Sequence, residues 1–160
     1  MNKAILALGS NIGNRREFLT RALALMEDFS NIFARSKIYE TPPWGVENQR
    51  DFLNAAVAIE TQLAPLELLS SCKSVESKLG RVKTLENGPR QIDIDIIFYN
   101  CITYSDSTLT IPHERWQSRD FVISPLLDLL DCGVFDDSFL ASNKANIVGL
   151  SRVYKPFSAF

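Results

Sequence analysis

The chain has 160 residues, 46% of them hydrophobic, and a formal net charge of -2. That supplies one buried core without a disulfide or structural metal, and a single domain over residues 1–160 is expected. The acidic balance argues against a partner held by its nucleic-acid phosphates, and no apolar run nears the ~20 residues of a membrane span.

The first eleven residues carry one lysine and a short apolar run ended by Gly9, Ser10 and Asn11, so they read as a strand and turn rather than a leader. Cys72, Cys101 and Cys132 are odd in number and lack metal-ligand spacing. They suggest buried thiols in a reducing compartment, and a cytoplasmic address is expected. Ala4 to Leu8 predicts a buried strand. Arg15 to Phe29 predicts a helix, because Phe18, Leu19, Ala22, Leu23, Leu25, Met26 and Phe29 follow the 3.6-residue period. Asn14 and Glu17 make a capping pair at its start. Ile32 to Tyr39 is β-branched and aromatic, as a strand requires. Glu40 to Asp51 holds Pro42, Pro43 and Gly45 and reads as a long loop, a length that tends to serve function.

Phe52 to Ile59 predicts a third strand. Pro65 opens a second helix and Gly80 ends it, with Leu66, Leu69, Cys72, Val75 and Leu79 as its buried stripe. Arg81 to Pro89 is a second polar loop, and Ile92 to Tyr99 a fourth strand. The order β-α-β-β-α-β is the α+β, ferredoxin-like core, an antiparallel sheet with helices packed on it. Behind it lie a turn-rich stretch, Ser105 to Pro112, and a C-terminal helical extension with helices near Ile123 to Leu130 and Phe139 to Ile147.

Three stretches carry chemistry. In NGPRQIDIDII, Asp93 and Asp95 share one face of the fourth strand, while Ile92, Ile94 and Ile96 point the other way. Two like charges side by side repel, and a divalent cation removes the repulsion. Magnesium suits the pair, because it takes one or two carboxylates and completes its shell with water and phosphate. A half-solvated strand gives the same alternation. Gly88, Pro89 and Arg90, which put a guanidinium at the mouth of the strand, tilt the reading toward a phosphate ligand. In TIPHERWQSRDFV, His113, Arg115 and Arg119 offer donors to anionic oxygens, and metal ligation by His113 is not expected without a second His or a Cys. In YETPPWGVENQRDFLNAA, Phe52 and Asn54 share a face, an aromatic beside an amide that would seat a flat heterocycle; Phe52 reads equally well as core.

Together LGSNIG, YETPPWG, DFLNAA, ESKLGR, GPRQIDIDII and IPHERWQSRDFVISPL, in that order from Leu8 to Leu126, resemble the 6-hydroxymethyl-7,8-dihydropterin pyrophosphokinase family of the folate pathway. The resemblance implies transfer of pyrophosphate from the co-substrate ATP to the hydroxymethyl group of a dihydropterin, with release of AMP. It implies two magnesium ions on Asp93 and Asp95, which with Arg81, Lys83 and Arg90 form the catalytic set. Arg90, His113 and Arg119 would hold the triphosphate. Lys73 and Glu76 would frame the nucleotide, with Leu69, Ile96 and Thr110 near adenine and ribose. The pterin would stack between Phe52 and Phe121, in contact with Asp95, its edges read or covered by Thr41, Pro42, Trp44 and Asn54. A monomer acting on small molecules, with neither nucleic acid nor membrane as partner, is expected. Departures from the family pattern fall at Lys83, Glu86 and Glu114, and the loop from Arg81 to Gly88 is short. Two other readings stand beside this one: a simple kinase, which would release ADP, and a small-ligand or RNA-binding module of the same topology. No P-loop supports the first, and no basic surface with aromatics on the central strands supports the second.

Overall fold

The computed structural model describes residues 1–82 and 85–160. The central strands β1 (Asn2–Ser10) and β4 (Phe52–Thr61) pair antiparallel along their whole length, from Asn2 opposite Thr61 to Ser10 opposite Leu53. On the other side of β1 lies β5 (Asp93–Tyr99). On the far edge of β4 lie β2 (Asn31–Arg35) and β3 (Ile38–Thr41), end to end. Helices α1 (Arg15–Met26) and α2 (Pro65–Lys78) complete the ferredoxin-like βαββαβ core, with β2 and β3 together serving as its second strand.

Sequence predicts one strand from Ile32 to Tyr39; Ser36 divides it. The Ser36 backbone N–H donates to Ala56 O at 2.9 Å, but the Ala56 N–H donates to the Ser36 hydroxyl at 2.8 Å instead of to a carbonyl. The side chain stands in for a ladder bond, and the strand resumes at Ile38. Helix α1 also stops earlier than its period suggests: Phe29 and Ser30 turn back to Met26 O at 3.2 and 3.0 Å. In α2 the buried stripe runs through Leu68, Cys72, Val75 and Leu79, whereas Leu66 is exposed in the first turn and Leu69 only half-buried.

Alternation in the strands sets the layers. Ala4, Leu6 and Leu8 of β1, Leu53, Ala55 and Val57 of β4, and Ile94 and Ile96 of β5 pack beneath α1 and α2. The other face carries Ile5, Ala56, Ala58, Ile97 and Phe98, covered by α3 (Asp120–Asp131). Phe98 meets Trp116 and Phe135 edge-on, with centroids 5.1 and 6.0 Å apart. A β-bulge makes this possible: Leu6 pairs with Ile96 and Ile5 with Phe98, so Ile97 is the extra residue and both Ile97 and Phe98 turn toward α3. Helix α3 covers only one end of this face. Its other end, bearing Ala7, Gly9, Phe52, Asn54, Asp93 and Asp95, is open.

The extension contains more than helices. The turn-rich stretch forms a short hairpin of β6 (Tyr104–Ser105) and β7 (Thr110–Ile111), its turn closed by Asp106 on the Thr108 and Leu109 amides. After α4 (Ala141–Ile147), β8 (Pro156–Ser158) returns to the sheet beside β3. Among the described residues no helix is long and apolar enough to cross a membrane.

Ser36→Ala leaves the buried Ala56 N–H without its acceptor. A loss of about 1–3 kcal/mol in unfolding free energy is expected from urea denaturation; an unchanged midpoint would mean the strand closes the gap by itself.

Candidate active site

The carboxylates of β5 owe their room to their neighbours. Asp93 stands opposite Gly9 and Asp95 opposite Ala7, two small residues that leave the floor of the sheet low. A Cβ on Gly9 would lie 2.8 Å from Asn54 Oδ1 and 3.6 Å from Phe52 Cδ1, so glycine is required here by space rather than by backbone angle. Asn54 is fixed from the other side too, its Nδ2 donating to Thr41 Oγ1 at 2.7 Å.

Two clefts open on this face and share one wall. The first is lined by Thr41, Pro42, Trp44, Phe52, Asn54 and Phe121, the residues expected to hold a flat ring. The second is lined by Lys73, Glu76, Arg81 and His113, among those expected to hold a triphosphate. Arg90, Asp93, Asp95 and Arg119 border both. Helix α3 supplies two of these groups at its start. The Arg119 carbonyl accepts the Val122 N–H at 2.8 Å as the helix begins, which turns the Arg119 side chain and Phe121 toward the first cleft.

The charges are balanced internally. Asp93 pairs with Arg81 and, at 3.2 Å, with Arg90; Arg119 lies 3.8 Å from Asp95. Burial pushes the Asp93 carboxyl upward, but Arg90 and Arg81 outweigh it and hold it below the usual carboxylate range. Asp95 is pushed above that range, first by burial and then by the charge of Asp93, against the pull of His113, Lys73 and Arg119. The guanidinium groups also lie over the aromatic rings: Arg90 is 4.9 Å from the Phe52 centroid, and Arg119 is 5.1 Å from Trp44 and 5.6 Å from Phe121. His113 is held below its ordinary range by burial, partly offset by Asp95. Its Nδ1 accepts the Arg115 N–H at 3.2 Å, so the neutral ring carries its proton on Nε2, a donor for an anionic oxygen.

Among the described residues no group of three or more His, Cys, Asp or Glu forms a metal cage. Two carboxylates on one strand face do fit a hard cation that takes its remaining oxygens from water and phosphate. The upward push of Asp93 on Asp95 is the repulsion such a cation relieves.

Glu76 has a second task that its sequence position does not reveal. Buried on α2, it accepts the Ile94 N–H of the β5 edge at 2.7 Å and pairs with Lys73 at 3.0 Å and Arg81 at 2.8 Å. It therefore seals the strand edge and aims Arg81 at Asp93. Asn11 of LGSNIG does more than end the first strand. Its backbone N–H donates to Arg90 O at 3.1 Å, its Oδ1 accepts the Arg90 N–H at 2.9 Å, and its Nδ2 reaches Gln49 Oε1 and Arg50 O, each at 2.9 Å. Gln49 Nε2 in turn donates to Val46 O and Asn87 O, each at 2.8 Å. One asparagine thus joins the loop after β1, the loop before β4 and the loop before β5. The signal, a polar residue directly after a buried strand, is too common to single out.

Not every expected residue is gathered here. Leu69 and Thr110 line neither cleft. Ile96 is 2% exposed and points into the core under α2, as its place beside Asp95 in the alternation dictates. Lys83 lies outside the described residues.

Fold and site together define a ferredoxin-like α+β protein with a cation-rich cleft beside an aromatic one. The sequence pattern described as 7,8-dihydro-6-hydroxymethylpterin-pyrophosphokinase matches residues 5–131, and the chain belongs to that family. It is 46% identical over 131 residues to the 2-amino-4-hydroxy-6-hydroxymethyldihydropteridine pyrophosphokinase of Methylorubrum extorquens, covering 81% of this chain and 83% of that one. The enzyme of the same name in Bacillus subtilis is 42% identical over 130 residues, covering 80% and 78%. A mitochondrial folate synthesis bifunctional protein of Arabidopsis thaliana is 46% identical over 138 residues, 86% of this chain but 25% of the relative. Against that protein, the fol1 protein of Schizosaccharomyces pombe and the pea bifunctional protein, the chain spans 18–27% of the relative's length. A crystal structure of an HPPK-DHPS with substrates superposes with a TM-score of 0.67 at 17% identity, over 81% of this chain and 40% of that one, and shares the fold.

Gly9→Ala is expected to push Asn54 off Thr41 and cost about 1–3 kcal/mol of stability, read by denaturant titration; a crystal structure with Asn54 unmoved would refute the steric argument. Asn11→Ala is expected to speed amide hydrogen exchange in residues 46–50 and 87–90 together. Exchange rising in one loop alone would show that the two are not joined through Asn11.

Proposed function

We infer that the chain transfers a diphosphate group from ATP to the hydroxymethyl group of 6-hydroxymethyl-7,8-dihydropterin, yielding the pterin diphosphate and AMP. The observation that carries this is the shared wall: Asp93, Asp95, Arg90 and Arg119 stand between a cleft of aromatic and amide groups and a cleft of cations. A reaction joining a flat heterocycle to a polyphosphate needs its charge-handling groups at that junction. The relatives that this chain matches over most of their length are pyrophosphokinases by name.

In this reading the pterin ring lies between Phe52 and Phe121, with Asn54 and Thr41 at its edge, Pro42 and Trp44 as cover, and Asp95 near its hydroxymethyl group. A flat ring entering there displaces the guanidinium groups that lie over Phe52 and Phe121. A triphosphate in the second cleft offers those groups a stronger partner. Arg81, Arg90, His113 and Arg119 bind the triphosphate, Lys73 adds charge, and Glu76 aims Arg81. Lys83 belongs to the same loop as Arg81 and is assigned with it. The adenine and ribose lie toward Leu69 and Thr110, where α2 and β7 flank β5, with Ile96 beneath them in the core rather than in contact. Asp93 and Asp95 would hold two magnesium ions, which would supply charge neutralisation to the phosphates, while Asp95 stands near the hydroxyl that attacks the β-phosphorus. The loop from Val46 to Arg50 closes over the aromatic cleft in this reading and helps keep water from the ATP. Residues 1–160 act as one domain, a monomer working on small molecules in an aqueous compartment such as the cytoplasm.

Incubation with ATP, magnesium and the dihydropterin is expected to release AMP only when the pterin is present. Asp95→Ala should lower the rate about a thousandfold. ADP as the product would replace this reading with that of a simple kinase.

A further inference from the structure

The last ten residues lie beyond the family match, which ends at residue 131, yet they are built into the sheet. β8 pairs antiparallel with β3, Ile38 opposite Ser158 and Tyr39 opposite Pro156. Before β8, Arg152 Nη2 lies 2.8 Å from Asp128 Oδ1 and 3.1 Å from Asp131 Oδ2, both on α3. After β8, the Ala159 carbonyl accepts from Arg16 of α1 at 3.1 Å, and Phe160 packs against the core beneath α1 and α2. The segment therefore wraps the sheet edge from its α3 face to its α1 face.

Asp128 is where this segment meets the pocket side. Its side chain is 8% exposed, and a carboxylate so buried needs donors and a countercharge. It accepts the Tyr39 hydroxyl at 2.9 Å and the Lys37 N–H at 2.9 Å, while Arg152 brings the positive charge. Tyr39 stands opposite Asn54 in the ladder, and two residues later Thr41 Oγ1 receives the Asn54 amide. Tyr39 and Thr41 thus bracket the contact that orients Asn54 in the aromatic cleft. β3 is a four-residue strand interrupted upstream at Ser36, so β4 alone gives it little hold. Apart from His113 and Arg119, the described groups that line the second cleft sit on α2, on β5 and on the loop between them, at the opposite edge of the sheet.

We propose that residues 151–160 form a strap that sets the heterocycle-binding cleft, with Arg152 as a positioning residue acting through Asp128 and Tyr39. The strap follows from the geometry; its consequence for the pterin rests on the function inferred above.

The test uses the full chain with Arg152→Ala and Arg152→Lys, whose side chain is one third exposed in the parent. Arg152→Ala should raise the KM for the dihydropterin about tenfold, the scale of one charge-assisted hydrogen bond, while the KM for ATP stays unchanged. Arg152→Lys should recover most of the loss. Hydrogen exchange, measured alongside, should quicken in residues 38–41 and stay unchanged in residues 93–99. Unchanged exchange in residues 38–41 overturns the strap, and so does a uniform rise that includes residues 93–99. A local rise without a selective effect on the pterin KM overturns the positioning role. Should the parent chain make no AMP from the pterin, the inferred function fails, and exchange in residues 38–41 still decides the strap.

Discussion

Two carboxylates two residues apart on one strand face cannot share a poorly solvated cleft without compensation, and much of this molecule answers that constraint. Three guanidinium groups converge on Asp93 and Asp95, two from opposite ends of the loop between α2 and β5 and one from the start of α3. The compensation is unequal. Asp93 is held by two arginines and stays below the ordinary carboxylate range, while Asp95 has one distant partner and is pushed above it. In the function proposed above, such a pair would exchange partners, the arginines to phosphate oxygens and the aspartates to a hard cation.

The sheet makes this arrangement affordable by dividing one of its faces. Helix α3 buries the half bearing Ile5, Ala56, Ala58 and Phe98 and leaves the half bearing the aspartates open. The bulge at Ile97 lets a single strand serve both halves, acidic at one end and aromatic at the other. On the opposite face α1 and α2 cover a continuous apolar layer, so the open half costs the core nothing. Glu76 shows how tightly the two are joined, since one buried carboxylate both closes the β5 edge and aims Arg81.

Three loops meet at the site, and none is held by packing alone. Asn11 bonds both backbone groups of Arg90 and also reaches the loop before β4, through Gln49 and Arg50. The far side of the aromatic cleft depends on β3, which is short, interrupted upstream at Ser36 and backed by β8. Precision at the site thus comes from polar side chains spanning separate loops, while the apolar core supplies the platform.

Alternation and the helical period determined the element order, the face shared by Asp93 and Asp95, and the face shared by Phe52 and Asn54, because these depend on local repeat lengths that residue spacing records. The quoted motifs determined the family. Tertiary structure alone decided the rest. The split at Ser36 depends on a hydroxyl reaching across to β4, and the register of α2 on which side faces the sheet. The role of Asn11 depends on loops 38 and 79 residues away. The return of the tail to β3 depends on an edge and a buried carboxylate that exist only once α3 has docked. Contacts between residues far apart in the chain leave no period in the sequence, so spacing could not foretell them.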